Sequence, residues 1–325
     1  MSLPNIIIDR LTIYHSLECV ALAETDDRHH ALSALAVVVF LWGVNSIAIK
    51  YLTQFFPPLA LASIRLSLAA ILLLVIVSFR HGLPKVSRQT WIMITGLALF
   101  SIFLHQIALT FGIKATSATH SVIILGSSPL CTILLANVFF KEALTVEKCM
   151  GMALGMGGLL TVICGNSQGI ATFNGDVIVF VAMITFVFGS LFVKQATLNA
   201  SPLVVTAYSH CLGAVGLVVL GFIVDPVWTY SPDSFTSKPL AVLLFSSFIS
   251  TAIGALLWNM GIQKVGATTA SLFQNASPLV GIFASAFFLG EQISWQHFAA
   301  LSLVLLGVFF GTGILRLPVR STSHS

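Results

Sequence analysis

The sequence predicts an all-α integral membrane protein, with ten transmembrane helices in two inverted five-helix repeats. The chain of 325 residues is 57% hydrophobic and only 8% charged, with a mean hydropathy of +0.99. Soluble globular domains carry about 25% charged residues, so the surface of this protein must face lipid. Ten apolar segments are long enough to cross a bilayer, which takes roughly 20 residues per helix. In addition, one stretch of the sequence recurs 149 positions later.

The ten predicted helices follow one another with short connections. The first five span residues 31–50, 57–79, 91–113, 117–140 and 149–166. The second five span residues 176–195, 202–224, 239–262, 268–289 and 295–315. Residues 115–116 leave room for hardly more than a turn between the third and fourth helices. The longest connection, near 225–238, contains the aspartates and prolines that favour turns.

The recurring stretch divides the chain into two related halves. Residues 112–142 align without a gap on residues 261–291, and ten of the 31 positions are identical. The identities include Gly112/Gly261, Ala118/Ala267, Ser128/Ser277, Pro129/Pro278 and Glu142/Glu291. Duplicated halves in a membrane protein are typical of transporters built from structural repeats. Because each half holds five helices, an odd number, the second half enters the membrane upside down relative to the first.

Lysine and arginine residues in the connections predict the orientation. With the N-terminus in the cytoplasm, eleven of them face inward and three face outward. The inner set is Arg10, Arg28, Arg80, Lys85, Arg88, Lys141, Lys148, Lys194, Lys264, Arg316 and Arg320, and the outer set is Lys50, Lys114 and Lys238. We therefore expect a multi-pass protein of the inner (plasma) membrane with both termini cytoplasmic. Residues 1–30 and 316–325 are then cytoplasmic tails, and the repeats occupy residues 31–166 and 175–315.

Several motifs of the chain resemble a known transporter domain. The segment LWGVNSIAIK (41–50), followed by PPLALASIRL (57–66), resembles the start of an EamA domain, and the shared pattern of the recurring stretch resembles its second half. The chain resembles ten-helix members of the drug/metabolite transporter superfamily, with an EamA repeat in each half. The resemblance implies a secondary transporter, often an exporter of amino acids or other small metabolites. The second repeat departs from the first at its opening, where FGS (188–190) replaces WGVN (42–45) and His210 falls near the place of Arg65.

Arg65 is a charged residue inside a predicted membrane span. It lies about eight residues into the second helix, which is roughly 12 Å along the helix axis. A charge at that depth is costly and usually faces a cavity or a partner. One interpretation is that its guanidinium holds a substrate carboxylate bidentately. The other is that it snorkels outward or pairs with a helix end.

The third helix carries a second candidate feature. His105 and Leu109 share one helical face, and their partners in the second repeat are Gly254 and Trp258. This asymmetry suits a cavity shaped for one ligand, with Trp258 as an apolar or stacking wall. The alternative is that Trp258 packs against lipid or another helix.

Further polar side chains lie inside the apolar spans, where each either joins two helices or contacts a ligand. They are Asn45, Gln106, His120, Asn259, Gln274 and Asn275. Together with Arg65, His105 and Trp258 they form the predicted substrate site near the midplane. No aspartate or glutamate falls in the middle of a span, which argues against export of lipophilic cations. Proton coupling, if present, would then depend on a histidine or on Glu142 or Glu291 at the membrane rims.

Prolines and glycines predict the shape and packing of particular helices. Pro129 and Pro278 lie at equivalent depths, and we expect kinks there that act as hinges or stay fixed. The glycines of two G-x-x-x-G motifs are Gly151, Gly155, Gly307 and Gly311. Such motifs let helices approach closely, here either within one molecule or across a homodimer.

These observations predict a secondary carrier that works by alternating access. Its substrate is expected to be a small neutral or anionic metabolite, with amino acids or related compounds first and export as the direction. No cofactor or metal is expected, because the five cysteines have no metal-type spacing and the chain has no nucleotide-binding motif. The scattered basic residues form no patch for nucleic acid. An intramembrane enzyme would need a carboxylate at membrane depth, and a receptor or scaffold that transports nothing is the remaining alternative.

Overall fold

The computed structural model describes residues 30–140, 145–163, 172–224 and 231–311, and every regular element in these ranges is helical. The α-helices are α1 His30–Leu52, α2 Pro58–His81, α3 Arg88–Ala115, α4 Ala118–Gly126, α5 Ser128–Phe140, α6 Val146–Ile163, α7 Phe173–Ala196, α8 Pro202–Val224, α9 237–265, α10 267–273, α11 Ser277–Leu289 and α12 Trp295–Gly311. A 3₁₀ turn, Gln274–Ala276, joins α10 to α11.

Six of these helices are long and apolar enough to cross a membrane: α1, α2, α3, α7, α8 and α9. They agree with six of the predicted spans to within three residues at every end. The other four predicted spans contain shorter or interrupted helices. Residues 117–140 form α4 and α5, separated at Ser127, and residues 268–289 form α10 and α11, separated by the 3₁₀ turn. The fold is therefore that of an all-helical integral membrane protein.

Local sequence explains where several helices begin and end. The fixed φ of Pro58 suits the first helical position of α2. This helix ends at Gly82, whose left-handed φ of 65° lets its amide bond the carbonyl oxygens of Val77 and Ser78. The Oγ atom of Ser87 accepts a hydrogen bond from the Thr90 amide and so caps α3.

The two halves share unusual backbone features at equivalent positions. A π-helical segment occupies Ala98–Leu104 in α3 and Phe245–Ile253 in α9. Shifted by 149 residues, the first segment falls inside the second. Likewise Ser117, which caps α4, corresponds to Gly266, which ends α9 with a φ of 84° that suits glycine. The recurrence in sequence thus coincides with a recurrence in backbone geometry.

Close helix packing depends on glycines at particular contacts. The helices α6 and α12 lie against each other, and a Cβ atom on Gly307 would be 2.6 Å from the carbonyl oxygen of Gly151 and 2.7 Å from the amide nitrogen of Gly155. The helix α7 packs on α3 in the same way, because a Cβ atom on Gly175 would be 2.6 Å from the carbonyl carbon of Ala115. Both pairs of helices approach to backbone contact.

Six apolar clusters pack the interior of the described residues, and two of them border polar side chains. One of these two clusters includes Leu97 and Trp258, and the other includes Ile49 and Leu109. The outer surface is also apolar, as shown by Phe79, which is 88% exposed. A large aromatic ring exposed to this degree on an apolar helix is expected to face lipid tails. The polar interior and the apolar exterior together define the place of a site inside the bundle.

Candidate functional site

A central cavity borders both of these apolar clusters. It holds about 990 Å³ of space between atoms, counting the part that is open to solvent. The lining comes from α1, α2, α3, α7, α8 and α9 and from the interrupted regions between α4 and α5 and between α10 and α11. None of the described lining residues is an aspartate or a glutamate.

Arg65 is fully buried and lines this cavity. Its Nε donates to the hydroxyl of Ser246 at 2.7 Å, one Nη donates to the hydroxyl of Thr251 at 3.0 Å, and the other donates to Oε1 of Gln106 at 3.4 Å. Ser246 in turn donates to Oδ1 of Asn45 at 2.6 Å. All these partners are neutral. A guanidinium has five N–H donors, so one N–H on each terminal nitrogen is left for a ligand.

Three aromatic rings form one wall of the cavity. The ring centroids of Trp42 and Trp258 are 5.1 Å apart, and Phe186 lies 5.6 Å from Trp42 and 5.9 Å from Trp258. The indole nitrogen of Trp42 donates to the carbonyl oxygen of Ser250 at 3.1 Å, which fixes its orientation. These centroid distances lie in the range of favourable aromatic pairs. The wall is mainly apolar.

Two histidines line the cavity in a defined hydrogen-bonding state. Nδ1 of His105 lies 2.8 Å from the carbonyl oxygen of Ala182, and Nδ1 of His210 lies 2.8 Å from the carbonyl oxygen of Thr206. A carbonyl oxygen only accepts, so each Nδ1 is the donor. In the neutral ring Nε2 is then an acceptor, and neither Nε2 has a hydrogen-bond partner among the described residues.

Two further polar atoms of the lining are buried without a partner in the described part of the chain. They are the indole nitrogen of Trp258, on a side chain 4% exposed, and the hydroxyl oxygen of Ser128, on a side chain 3% exposed. Buried polar atoms in folded proteins nearly always have a hydrogen-bond partner. Both atoms are therefore available to a ligand in the cavity.

Pairs of residues related by the repeat line the cavity together. They are Ile102/Thr251, Gln106/Ala255, Leu109/Trp258, Leu125/Gln274 and Ser128/Ser277. In four of the five pairs the two residues differ in polarity or size. The cavity is therefore built from equivalent positions of both halves, but its surface is asymmetric.

Most of the predicted site residues lie around this cavity. Those that line it are Asn45, Arg65, His105, Gln106, Trp258, Asn259 and Gln274. The side chain of Asn275 lies outside the described residues. Pro129 follows the break at Ser127, and Pro278 follows the 3₁₀ turn, so both predicted kinks coincide with helix interruptions. The surroundings of Gly311, the last residue of α12, lie outside the described part of the chain.

His120 is not part of the cavity lining. Its Nδ1 lies 2.9 Å from Oδ2 of Asp176, whose other oxygen accepts a hydrogen bond from the hydroxyl of Thr116. Asp176 is 1% exposed although it lies in the first turn of α7. The pair belongs to a polar cluster at one end of the bundle, around the turn between α3 and α4, and not to the central site.

The same turn binds two more charged side chains. The buried ammonium of Lys50 donates to the carbonyl oxygens of Ile113 and Lys114 at 3.0 Å and to that of Thr116, which caps the C-terminus of α3. The Glu291 carboxylate accepts from the amide of Ala118 at 2.8 Å, at the N-terminus of α4. Each charge has the sign that the adjacent helix dipole favours.

Several other lining residues were hard to anticipate from sequence. Ser46, Ser101, Ser190 and Thr251 line the cavity, and serine and threonine are common inside membrane helices. Trp42 is part of the segment that resembles an EamA domain, and His210 aligns near Arg65. Those two alignments were the available signals for these residues.

Comparison with known proteins gives a consistent family assignment. The family model described as the EamA-like transporter family matches residues 30–164 and 173–312. The uncharacterized transporter YyaM of Bacillus subtilis (strain 168) is 32% identical over 287 residues, which cover 85% of this chain and 91% of that protein. A probable amino-acid metabolite efflux pump of Salmonella typhimurium (strain LT2) is 26% identical over 308 residues, which cover 91% of this chain and 98% of that protein.

The fold also matches a solved structure. A chain described only as a crystal structure of a protein superposes with a TM-score of 0.65 at 17% identity, covering 87% of this chain and 96% of that chain. The family match covers most of the molecule and agrees with the motifs found in the sequence. The predicted membership of the drug/metabolite transporter superfamily is thereby confirmed, and the chain belongs to the EamA-like transporter family.

Proposed function

We propose that this transporter carries a small neutral or anionic metabolite with a carboxylate, by alternating access around the central cavity. Amino acids and related compounds are the first choice of substrate, and export is the proposed direction. The observation that carries the proposal is the fully buried Arg65, which faces the cavity with neutral partners only.

Electrostatics favours an anionic group at Arg65. Burying a cation costs several kcal/mol, and neutral hydrogen-bond acceptors offset only part of that cost. The cavity has no acidic side chain among its described lining residues that would neutralise the charge. A carboxylate would supply the missing charge and accept the two remaining N–H donors bidentately. Arg65 is the proposed carboxylate-binding residue.

The aromatic wall suits the apolar part of such a substrate. Trp42, Phe186 and Trp258 present ring faces on which an aliphatic or aromatic side chain packs favourably. The unpaired indole N–H of Trp258 and the hydroxyl of Ser128 add polar contacts. Asn45, Gln106, Asn259 and Gln274 complete the proposed site.

The paired lining positions support alternating access. We propose that α4 with α5 forms one interrupted crossing, and that α10 with α11 forms another. With α6 and α12, which are 18 and 17 residues long, this gives ten crossings in two inverted repeats. A site between inverted repeats can open to either face by rocking of one half against the other. The interruptions beside Pro129 and Pro278 are proposed hinges.

The relatives support the substrate class and the direction. The Salmonella protein is named a probable amino-acid metabolite efflux pump, and the match covers nearly all of both chains. By that similarity, and by the excess of inward-facing lysine and arginine residues, we propose an inner-membrane exporter with both termini in the cytoplasm. We also propose coupling to protons, which is tested by measuring flux under a pH gradient. We further propose assembly as a homodimer, which is tested by measuring the oligomeric state.

Solute flux into proteoliposomes tests the proposal directly. Purified protein is reconstituted and offered labelled amino acids and organic acids, with and without an imposed pH gradient. We expect saturable, protein-dependent flux of carboxylate-bearing compounds, and a response to the gradient if protons are coupled. Absence of flux for every compound in a folded, oriented preparation would favour a receptor or scaffold.

Substitution of Arg65 tests whether this residue binds the substrate carboxylate. Arg65→Lys keeps the charge but replaces the planar fork with a single ammonium, so flux of carboxylate substrates should fall about tenfold or more. Arg88→Lys makes the same change at an exposed helix end and serves as the matched control. Equal flux in the two variants, at equal membrane levels, would contradict a carboxylate site at Arg65.

A further inference from the structure

The cavity lining also indicates what accompanies the carboxylate. An α-amino acid carries an ammonium group one carbon away from its carboxylate, whereas the corresponding 2-oxo acid carries a carbonyl oxygen there. A site that binds the ammonium must offer acceptors or a π face, and a site for the 2-oxo acid must offer a donor. The residues beside Arg65 therefore bear on the substrate class.

His105 offers an acceptor at this place. Its ring is held by the hydrogen bond from Nδ1 to the carbonyl oxygen of Ala182, so Nε2 of the neutral imidazole carries a lone pair. That nitrogen has no described partner, although the side chain is only 8% exposed and lines the cavity. A cavity-lining acceptor without a protein partner can take a hydrogen bond from a donor on a ligand.

His105 is also close to the proposed carboxylate site. It lies within electrostatic range of Arg65, and its neighbour in sequence, Gln106, accepts a hydrogen bond from the Arg65 guanidinium. The ring of His105 lies 5.2 Å from that of Phe186, in the aromatic wall. A ligand ammonium beside His105 would thus also be near an aromatic ring, whose face attracts cations.

We propose that Nε2 of His105 accepts a hydrogen bond from the α-ammonium of the substrate while Arg65 binds its carboxylate. This assigns zwitterionic α-amino acids, and not organic acids of the same shape, as the substrate class. The assignment rests on the proposed function of the cavity. It also gives His105 a role in specificity, because the 2-oxo acid would place an acceptor against an acceptor.

Matched pairs of solutes test the assignment. The probes are L-phenylalanine with phenylpyruvate and L-leucine with 4-methyl-2-oxopentanoate, measured as competing solutes for reconstituted protein and against protein-free vesicles. We expect the amino acid of each pair to bind about 10- to 100-fold more tightly, the range for a hydrogen bond to a charged group. Equal affinity within both pairs would overturn the ammonium site and leave the carboxylate site standing.

Two substitutions of His105 separate ligand binding from a structural role. In His105→Gln the amide oxygen occupies roughly the place of Nε2, so the acceptor is kept and the hydrogen bond to Ala182 is lost. In His105→Asn the amide nitrogen occupies roughly the place of Nδ1, so the bond to Ala182 is kept and the acceptor is lost. The two roles therefore predict opposite orders of effect.

If His105 binds the ammonium, Asn should weaken amino-acid binding about tenfold or more and reduce the preference over the 2-oxo acid, while Gln should keep that preference. If His105 is only structural, Gln should be the more damaging variant in thermal stability, and neither should change the preference. That second result would overturn the proposal. Failure of the wild type to bind or move any carboxylate, with Arg65→Lys unchanged, would instead overturn the proposed function itself.

Discussion

Glu291 and Thr119 join the two halves of the molecule. Oε2 of Glu291 accepts hydrogen bonds from the backbone amide of Thr119 at 2.9 Å and from its hydroxyl at 2.7 Å. Amides at the start of a helix have no partner within the helix, and Glu291 satisfies two of them at α4. Both residues belong to the recurring stretch, so a shared sequence motif is used here as a contact between the repeats.

The Glu291→Gln variant should be less stable than the wild type. The amide removes the negative charge from the N-terminus of α4 and replaces one acceptor oxygen with a donor that faces N–H groups. We expect a loss of about 1–3 kcal/mol, seen as a lower midpoint of thermal unfolding in detergent. Asp233→Asn, at an exposed position, is the control. Equal midpoints for both variants would contradict the cap.

The Lys50→Met variant should also be destabilised. In the wild type the buried ammonium of Lys50 donates hydrogen bonds to three carbonyl oxygens at the end of α3. Methionine has no donor, so all three hydrogen bonds are lost. A charged hydrogen bond at a helix C-terminus is worth about 1–3 kcal/mol, so the unfolding midpoint should fall by several degrees. In the control Lys238→Met, only an exposed cation–π contact with Tyr51 at 5.3 Å is lost. A larger effect at Lys238 would be inconsistent with this role for Lys50.

The membrane helices were predictable because an apolar run of about 20 residues matches the thickness of a bilayer and is rare in soluble domains. The predicted span 202–224 agrees with α8 at both ends. The breaks at Ser127 and at residues 274–276 were predictable only as proline kinks, since their shape depends on how the two halves pack. The π-helical segments of α3 and α9 follow from a shift in hydrogen-bond register and leave no sign in composition.

The site residues that could be predicted are those whose burial in a membrane costs the most free energy. A charge such as Arg65, or an indole such as Trp258 at membrane depth, stands out because lipid offers it no partner. The hydroxyls of Ser246 and Thr251 did not stand out, because in apolar helices such groups often bond their own backbone. Lys50 was predicted only as a charge at the outer face, yet its ammonium is buried. This burial depends on where α3 ends in the folded protein, and the sequence does not show that position.

Trp258 should determine preference for the substrate side chain. The Trp258→Leu variant introduces the residue found at its repeat partner, Leu109, and removes the ring contacts with Trp42 and Phe186. A substrate ring packed on Trp258 would gain about 0.5–1.5 kcal/mol that alanine cannot gain, so kcat/KM for L-phenylalanine relative to L-alanine should fall about three- to tenfold. The measurement is uptake of both solutes by the same vesicles.

The matched control for this prediction is Trp91→Leu. Trp91 is 40% exposed and stacks on Tyr208, and it does not line the cavity. This variant should leave the ratio of the two solutes unchanged. An unchanged ratio in Trp258→Leu as well would mean that the aromatic wall packs the protein and does not select substrate.

Substitution of Gly307 tests whether the glycine motifs mediate helix packing within one molecule or between two molecules. A Cβ atom at Gly307 would meet the backbone of α6 at 2.6 Å, whereas one at Gly157 would meet nothing within 4 Å. Gly307→Ala should therefore lower the free energy of unfolding by about 1–3 kcal/mol, from overpacking. Gly157→Ala, the same change, should leave the free energy of unfolding unchanged or raise it by up to about 1 kcal/mol through helix propensity.

The readouts for both glycine variants are thermal unfolding and size-exclusion chromatography with light scattering. If the glycines served a homodimer, Gly307→Ala would instead lower the dimer fraction and leave the unfolding of the monomer unchanged.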